Sequence, residues 1–389
     1  MGTEVKEIVV LGSTGSIGQN CLAVAREFSS AFRIVGLAAG SNSEVLAGQV
    51  EEFRPEVVSI AEKQAAAEFS RRYASSGLRV LSGDEGLREL ARLDRARMVV
   101  NALVGAIGLV PTIEAITAGK DVALANKESM VLAGEIVMNL AKEHGSNVLP
   151  IDSEHSGIHQ CVAGRTAAIR RVVLTASGGP FLDRKPDDLR NVTPEEVVRH
   201  PVWSMGKRIC VDSATLLNKG FEVIEARWLF SLELSRIGVL IHPQCVVHAL
   251  VEFADGTTLA QISRPDMRVP ILYAMSYPLR VETRFESCDL AQTGTLAFVE
   301  PDLDQFPCLR LACGAASAGG TVPVFLNAAD EIAVEAFLER RIRFTDIARV
   351  LEVSLERLGA TPVTSVEDVL AADAEARVVA RQAVSEAAA

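Results

Sequence analysis

The run PIDSEHS, residues 150–156, sets Asp152 and Glu154 two positions apart, with Ser153 between them and His155 alongside. In an extended segment, positions i and i+2 share a face, so these carboxylates would converge. Like charges that close need compensation. Water could screen them at a solvated strand end, or a divalent cation could take both, with at least one more oxygen ligand arriving from elsewhere. Such an acid stands in VDSATLLNKGFEVIEARW, residues 211–228. A helix here would put Asn218 and Lys219 four and three residues before Glu222, on one face. Glu225, a turn further on, is a rival ligand; Glu222 is preferred because it lies nearer the Asn218 and Lys219 turn. Asp152, Glu154 and Glu222 would form an all-oxygen set suited to Mg²⁺ or Mn²⁺, with positions left for substrate oxygens.

Neutral and cationic donors gather nearby in the sequence. TASGGPF contributes Ser177 and pliable backbone N–H groups, and Ser213, Asn218 and Lys219 add hydroxyl, amide and ammonium donors. That set suits a phosphate monoester. Between the two stretches runs HPVWSMG, His200 to Gly206. Gly178 and Gly179 precede it and Gly206 ends it, the composition of a loop able to close over a site. Trp203 would cover substrate there, and His200 is the one histidine of the six expected to touch it. Hard oxygen donors dominate, so a histidine-rich zinc site is not expected.

These groups need a scaffold. From Lys6 to about Pro150, EIVVLG, RIVGLAAG, EVVSI, MVVNALVG and DVALAN read as strands alternating with helical stretches, which predicts a Rossmann-like doubly wound parallel sheet. The first strand ends in GSTGSIG, where Gly12, Gly15 and Gly18 let a pyrophosphate approach the backbone at a helix N-terminus. The second strand ends in Gly40, Ser41 and Asn42 rather than in the acid that takes an NAD ribose. Hydroxyl and amide donors there favour NADP; the alternative is that Glu44 does the acid's work. NALVG (101–105) and ANKE (125–128) follow later strands, where a nicotinamide half would lie.

After Pro150 the chain reads as a mixed α/β catalytic domain over 151–290, in which the Asp255-Gly256 pair predicts a hairpin. Residues 291–320 read as a linker, and 321–389 as a C-terminal helical bundle. The 389 residues carry a net charge of −11, which gives no overall attraction to nucleic acid or to anionic membrane. Seven scattered cysteines without a C-x-x-C pair fit reduced thiols. The N-terminus MGTEVKEIVVLG runs straight into a strand without the zones of a signal peptide, so the expectation is a cytoplasmic protein.

GSTGSIG, ANKES, PIDSEHSGI, TASGGPF, HPVWSMGKRICVDSATLLNKGFEVIEA, IHPQCVVHALVEF, PDMRVPI and LNAADEIAVEAFL together closely resemble the signatures of the 1-deoxy-D-xylulose 5-phosphate reductoisomerase family. The resemblance implies a homodimer that uses NADPH and a divalent metal to turn 1-deoxy-D-xylulose 5-phosphate into 2-C-methyl-D-erythritol 4-phosphate. It implies Asp152, Glu154 and Glu222 as metal ligands, and Lys127 and Ser153 as contacts to substrate oxygens. Ser177, Ser213, Asn218 and Lys219 match substrate and phosphate contacts, with His200, Trp203, Met205 and Gly206 on the closing loop, the last two beside the cofactor. Thr14, Gly15, Ser16 and Ile17 match the pyrophosphate turn, and Asn126 and Glu128 the nicotinamide side. The chain departs from the pattern at Ser41, where some members carry Lys, and at Cys245, where several carry Ser. The first change removes a phosphate contact without adding an acid, so NADPH remains the expectation.

Overall fold

The computed structural model describes residues 5–162, 168–198 and 206–388, so His200, Trp203 and Met205 lie outside the described residues. The chain divides into two compact units. The first comprises Met1–Ser129, Val137–Ser156 and Asp266–Arg284; the second comprises Met130–Ile136, Gly157–Pro265 and Phe285–Ala389.

Short apolar runs separated by helical ones build the first unit. In chain order these are β1 (Lys6–Leu11), α1 (Ser16–Glu27), β2 (Phe32–Ala39), α2 (Ser43–Phe53), β3 (Val57–Ile60), α3 (Lys63–Arg72), β4 (Arg79–Ser82), α4 (Gly83–Ala91), β5 (Met98–Asn101), α5 (Leu109–Thr117), β6 (Asp121–Leu124), α6 (Glu128–His144) and β7 (Val148–Pro150). Among the described residues the strands form one parallel sheet in the order β4-β3-β2-β1-β5-β6-β7. Its central strands are buried on both faces: Ile8 to Leu11 and Met98 to Val100 are fully enclosed. This is why they read as continuous apolar runs rather than alternating ones. Strand order reverses between β1 and β5, and ligands of open α/β sheets bind outside the carboxyl ends at such a switch point.

The second unit takes Met130–Ile136 from α6, then α7 (Ser153–Val162), whose first residues still count with the first, and continues through β8 (Ile169–Ala176), α8 (Pro194–Val197), α9 (Lys207–Ala214), α10 (Leu217–Leu229), β9 (Ile237–Ile241), β10 (Val247–Phe253) and β11 (Thr258–Ile262). Among the described residues its strands order as β11-β10-β8-β9. The Asp255-Gly256 hairpin joins β10 to β11, with Gly256 at φ +88° and the Asp255 carboxylate accepting from the Thr257 N–H. One face of this sheet buries Val172, Leu174, Ala249 and Val251 against Ile158 of α7 and Val223 and Ala226 of α10.

Then come α11 (Arg268–Ser276), which belongs to the first unit, α12 (Leu290–Thr293), α13 (Pro307–Ala318), α14 (Val322–Leu338), α15 (Asp346–Arg357) and α16 (Val366–Ala387). Helix α13 falls inside the stretch expected as a linker, started by Pro307 at its first turn. The last three helices pack as the helical region the apolar spacing predicts. Their core includes Phe337 and Phe344 at 5.7 Å, edge to face, with Phe181 5.4 Å from Phe344. No helix among the described residues is long and apolar enough to cross a membrane.

Candidate active site

Of the residues expected to hold a nucleotide, Thr14 to Ile17, Gly40 to Asn42, Asn126 and Glu128 follow the carboxyl ends of strands in the first unit. Gly12 takes φ +80°, and a Cβ on it would stand 2.5 Å from the Ala102 carbonyl oxygen, so only glycine fits. A Cβ on Gly18 would meet the Gly12 oxygen at 2.3 Å, which identifies Gly18 as the close packing point between helix and strand. Gly15 differs: its extended backbone (φ −77°, ψ 173°) places it at the N-cap of α1, exposed, with nothing nearer to a Cβ than 3.4 Å. The turn is held from behind, where Gly12 and Ser13 both donate backbone N–H groups to the Ala38 carbonyl and Ser13 Oγ bonds the buried Gln49 at 2.7 Å. Thr14, Ser16 and Ile17 are left facing outward, part-buried or exposed, around an N-terminus with no side-chain cap. An uncapped helix N-terminus presents N–H groups and a positive dipole end to an anion.

At the end of β2, Gly40, Ser41 and Asn42 are exposed, and the Asn42 side chain accepts from the Val45 N–H to cap α2. Glu44, the rival acid, lies 3.3 Å from Arg72 instead, in an exposed pair.

Asn126 and Glu128 prove to be engaged with the neighbouring loop. The Asn126 amide nitrogen donates to the carbonyls of Leu103 and Gly105, each at 3.0 Å, and to Glu128 at 2.9 Å. Its oxygen accepts from the Ser129 N–H, and the other Glu128 oxygen accepts from the Gly105 N–H at 2.9 Å. Both residues are buried, so their side chains staple the loop after β5, where Gly105 sits at φ +87°.

The extended reading of PIDSEHS does not hold. Strand β7 ends at Pro150, and a helix begins at Ser153: the Asp152 carbonyl accepts from the Ser156 N–H at 2.8 Å, while Glu154 lies in the first turn. Acids at a helix start are favoured by the local dipole, and this replaces the i, i+2 spacing as the reason both stand here. Asp152 pairs with Lys127 Nζ at 2.7 Å, each side chain about one-tenth exposed, and lies 3.7 Å from His155 Nδ1. Ser153 donates its hydroxyl to Glu154.

In the second unit, Ser177 follows β8, and its Oγ accepts from the Gly179 N–H at 3.1 Å. Gly178 and Gly179 both take positive φ, and a Cβ on Gly179 would meet the Ser213 oxygen at 2.9 Å. The TASGGPF turn therefore lies directly on the end of α9. Leu216, at φ +58°, turns the chain into α10. The face predicted for that helix forms as expected: Asn218 donates to Glu222 at 2.6 Å, and Lys219 Nζ lies 2.5 Å from its other oxygen. Lys219 and Glu222 are 3% and 1% exposed, so the carboxylate is fixed by two donors in a desolvated setting. Glu225 is equally buried. Gly206, the one described residue of the closing loop, is exposed and starts α9. Cys245 is buried with its thiol 3.5 Å from the Pro243 carbonyl, a contact a serine would also make.

Sequence reasoning singled out most of these groups but missed those behind them. Gln49, which braces the glycine turn, and Arg208, which ties α9 to α14, bond across 36 and 119 or more residues, respectively. No local signal announces either.

Three family models match the chain: 1-deoxy-D-xylulose 5-phosphate reductoisomerase over residues 8–134, its C-terminal domain over 148–230, and the DXP reductoisomerase C-terminal domain over 262–379. Curated proteins named 1-deoxy-D-xylulose 5-phosphate reductoisomerase align along almost the whole chain. That of Chlorobaculum tepidum is 50% identical over 382 residues, and that of Thermodesulfovibrio yellowstonii is 48% identical over 383; each alignment covers 98% of this chain and 100% of the relative. Among solved structures, a DOX-P reductoisomerase in complex with NADPH, fosmidomycin and magnesium superposes with a TM-score of 0.92 at 41% identity, covering 98% of both chains. The Zymomonas mobilis enzyme in complex with NADPH gives 0.91 at 40% identity, covering 98% of this chain and 99% of that one.

Proposed function

The chain belongs to the 1-deoxy-D-xylulose 5-phosphate reductoisomerase family, and on that premise we propose that it rearranges and reduces 1-deoxy-D-xylulose 5-phosphate to 2-C-methyl-D-erythritol 4-phosphate, using NADPH and Mg²⁺ or Mn²⁺. One observation carries the reading: the sheet edge that bears the glycine turn also bears the Asp152, Ser153 and Glu154 run, with Lys127 2.7 Å from Asp152. Nucleotide-binding and acid-bearing residues thus share one edge.

NADPH would lie along that edge, its pyrophosphate on Thr14 to Ile17 and its 2′-phosphate near Gly40, Ser41 and Asn42. Exposed donors at the end of β2 support the NADP form, and Glu44, the rival acid, is paired with Arg72. Asn126 and Glu128 would act on the nicotinamide side by holding the Leu103–Gly105 loop in place. Asp152, Glu154 and Glu222 would be the donor set, since carboxylate oxygens are the hard ligands that such a divalent cation prefers. A cation held there would polarise adjacent keto and hydroxyl oxygens and stabilise enolate charge, permitting a retro-aldol cleavage followed by an aldol rejoining. Lys127 and Ser153 would orient the substrate's oxygens. Ser177, Ser213, Asn218 and Lys219 would anchor the phosphate, so that binding energy remote from the reacting carbons keeps both fragments in register. His200, Trp203, Met205 and Gly206 would close over them until hydride reduces the rearranged aldehyde.

We further assign domains as 1–150, 151–290, 291–320 and 321–389, a cytoplasmic location and a homodimer. Val247–Phe253 of VVHALVEF forms β10, bounded by β8 and β11, so it does not itself offer an edge; among the described residues β11, where Leu259 is exposed, and β9 are the edge strands. Exposed Phe298, Val299 and Leu303 add apolar surface that a second copy would cover. Sedimentation at micromolar concentration tests this: a monomer would refute the dimer.

The test of the reaction is NADPH oxidation with the substrate, with Mg²⁺ or Mn²⁺ and again with a chelator. Metal-dependent oxidation yielding a rearranged carbon skeleton is expected. Oxidation without rearrangement would replace this reading with a plain dehydrogenase, and folded protein that binds NADPH without turnover would make it a nucleotide sensor.

A further inference from the structure

A charged network not used above stands behind the phosphate corner. Arg208, in the first turn of α9, extends Nη2 to Asn327 Oδ1 at 3.3 Å and Asp330 Oδ2 at 3.1 Å on α14, and Nη1 to Glu331 Oε1 at 3.2 Å. Its Nε lies 3.6 Å from Asp212, one turn along its own helix. Glu331 also accepts from Asn327 and from Arg377 of α16, and Arg377 grips Asp373 through two nitrogens at 2.6 and 3.0 Å. The Asp330 and Asp212 side chains are 1% and 6% exposed, and that of Arg208 is 16% exposed. Solvated surface pairs hold little, but desolvated carboxylates are tolerated only where a cation stays in register with them. The planar guanidinium meets several acceptors at once in a way an ammonium cannot.

Helix α9 has eight residues, with Arg208 near one end and Ser213 near the other. The TASGGPF turn rests on Ser213, and the chain passes through Leu216 directly into Asn218 and Lys219. A shift at the first turn of so short a rod therefore reaches every group at the corner.

We propose that Arg208 is a positioning residue: by locking α9 to α14 it sets Ser213, Asn218 and Lys219 at the spacing a phosphate monoester needs. This rests on the reading that the corner takes the substrate's phosphate.

Steady-state kinetics of the full-length, metal-loaded enzyme test it with Arg208→Met, Arg208→Lys and, as a control at the far end of the network, Arg377→Lys. Arg208→Met is expected to raise the KM for substrate roughly ten- to hundredfold, as sub-ångström misplacement of anchoring groups does, while the KM for NADPH stays within about twofold. Inhibition by inorganic phosphate competing with substrate weakens in parallel. Arg208→Lys recovers part of the loss, whereas Arg377→Lys lowers the unfolding temperature and leaves the substrate KM alone. Should Arg208→Met fail to fold, Arg208→Lys carries the comparison. Amide hydrogen exchange over residues 207–219 reads the same movement without turnover, so an inactive wild type refutes the proposed reaction while exchange still judges Arg208. An unchanged substrate KM, equal rises in both KM values, or unchanged exchange in Arg208→Lys overturns the proposal.

Discussion

Gly15 and Gly18 lie three residues apart in one turn, and replacing each by alanine separates folding from cofactor binding. A Cβ on Gly18 would stand 2.3 Å from the Gly12 oxygen and 2.6 Å from Ser13 Cα. Ordinary contact would require those backbone atoms to retreat by about 1 Å. They have no room to move, because both residues donate to the Ala38 carbonyl, Ser13 is bonded to buried Gln49, and Gly12 already lies against Ala102. Overpacking against fixed backbone places Gly18→Ala at the upper end of its usual cost, about 2–3 kcal/mol. For Gly15, the backbone is in a region open to any residue and the nearest atom to a Cβ is 3.4 Å away. The small preference for glycine over alanine at an N-cap offsets the entropy that alanine removes from the unfolded chain, so stability changes by less than about 0.5 kcal/mol. The new methyl would stand where a pyrophosphate approaches α1, weakening NADPH by roughly ten- to hundredfold, or about 1.4–2.7 kcal/mol. Denaturant unfolding and a fluorescence titration with NADPH measure the two effects separately. Wild-type NADPH affinity in Gly15→Ala, or wild-type stability in Gly18→Ala, would refute the reasoning.

Asp152→Asn leaves the Lys127 ammonium without its carboxylate and is expected to lose metal-supported turnover while keeping NADPH affinity; metal-dependent activity at the wild-type level would remove Asp152 from the ligand set. In Glu222→Gln the buried Lys219 loses its carboxylate, so we expect a stability loss of about 3 kcal/mol together with loss of turnover, checked by unfolding and by NADPH oxidation. Burial pulls the His159 imidazole below its usual value. The unfolded chain therefore takes up a proton that the folded one refuses. Stability is full above the unfolded value of about 6.5 and falls as pH drops from there toward the lowered folded value. His159→Asn should flatten that part of the profile, and an identical slope in wild type and variant counts against it.

Local patterns carried well where chemistry and geometry repeat within a few residues. The apolar runs marked β1, β2, β5 and β6, the glycine turn marked the passage from β1 into α1, and the i+4 spacing of Asn218 and Glu222 closed into a hydrogen bond. PIDSEHS misled because period-two logic was applied where a helix starts, although Asp, Ser and Glu ahead of apolar residues also announce a helix N-terminus. Strand β4 offers only RVLS, too short for periodicity to separate from a loop. Helix α11 returns to the first unit after more than a hundred residues in the second, packing on α1, β6 and β7, and no local pattern encodes such a return. The same holds for Arg208, whose partners on α14 lie over a hundred positions away.

The staple at Asn126 also constrains mutational drift. Asn126 uses both ends of its amide, one of its partners is Glu128, and a Cβ added to Gly108 would strike Asn126 at 2.3 Å. Aspartate at 126 would set a second acid against Glu128 and lose every donated bond, while glutamine would need space that Gly108 and the Leu103 loop already fill. A single codon change at any of these three positions therefore breaks a contact that the other two cannot restore. Resistance to a molecule bound at this edge would have to arise instead through exposed positions such as Ser41, where substitution costs the fold little.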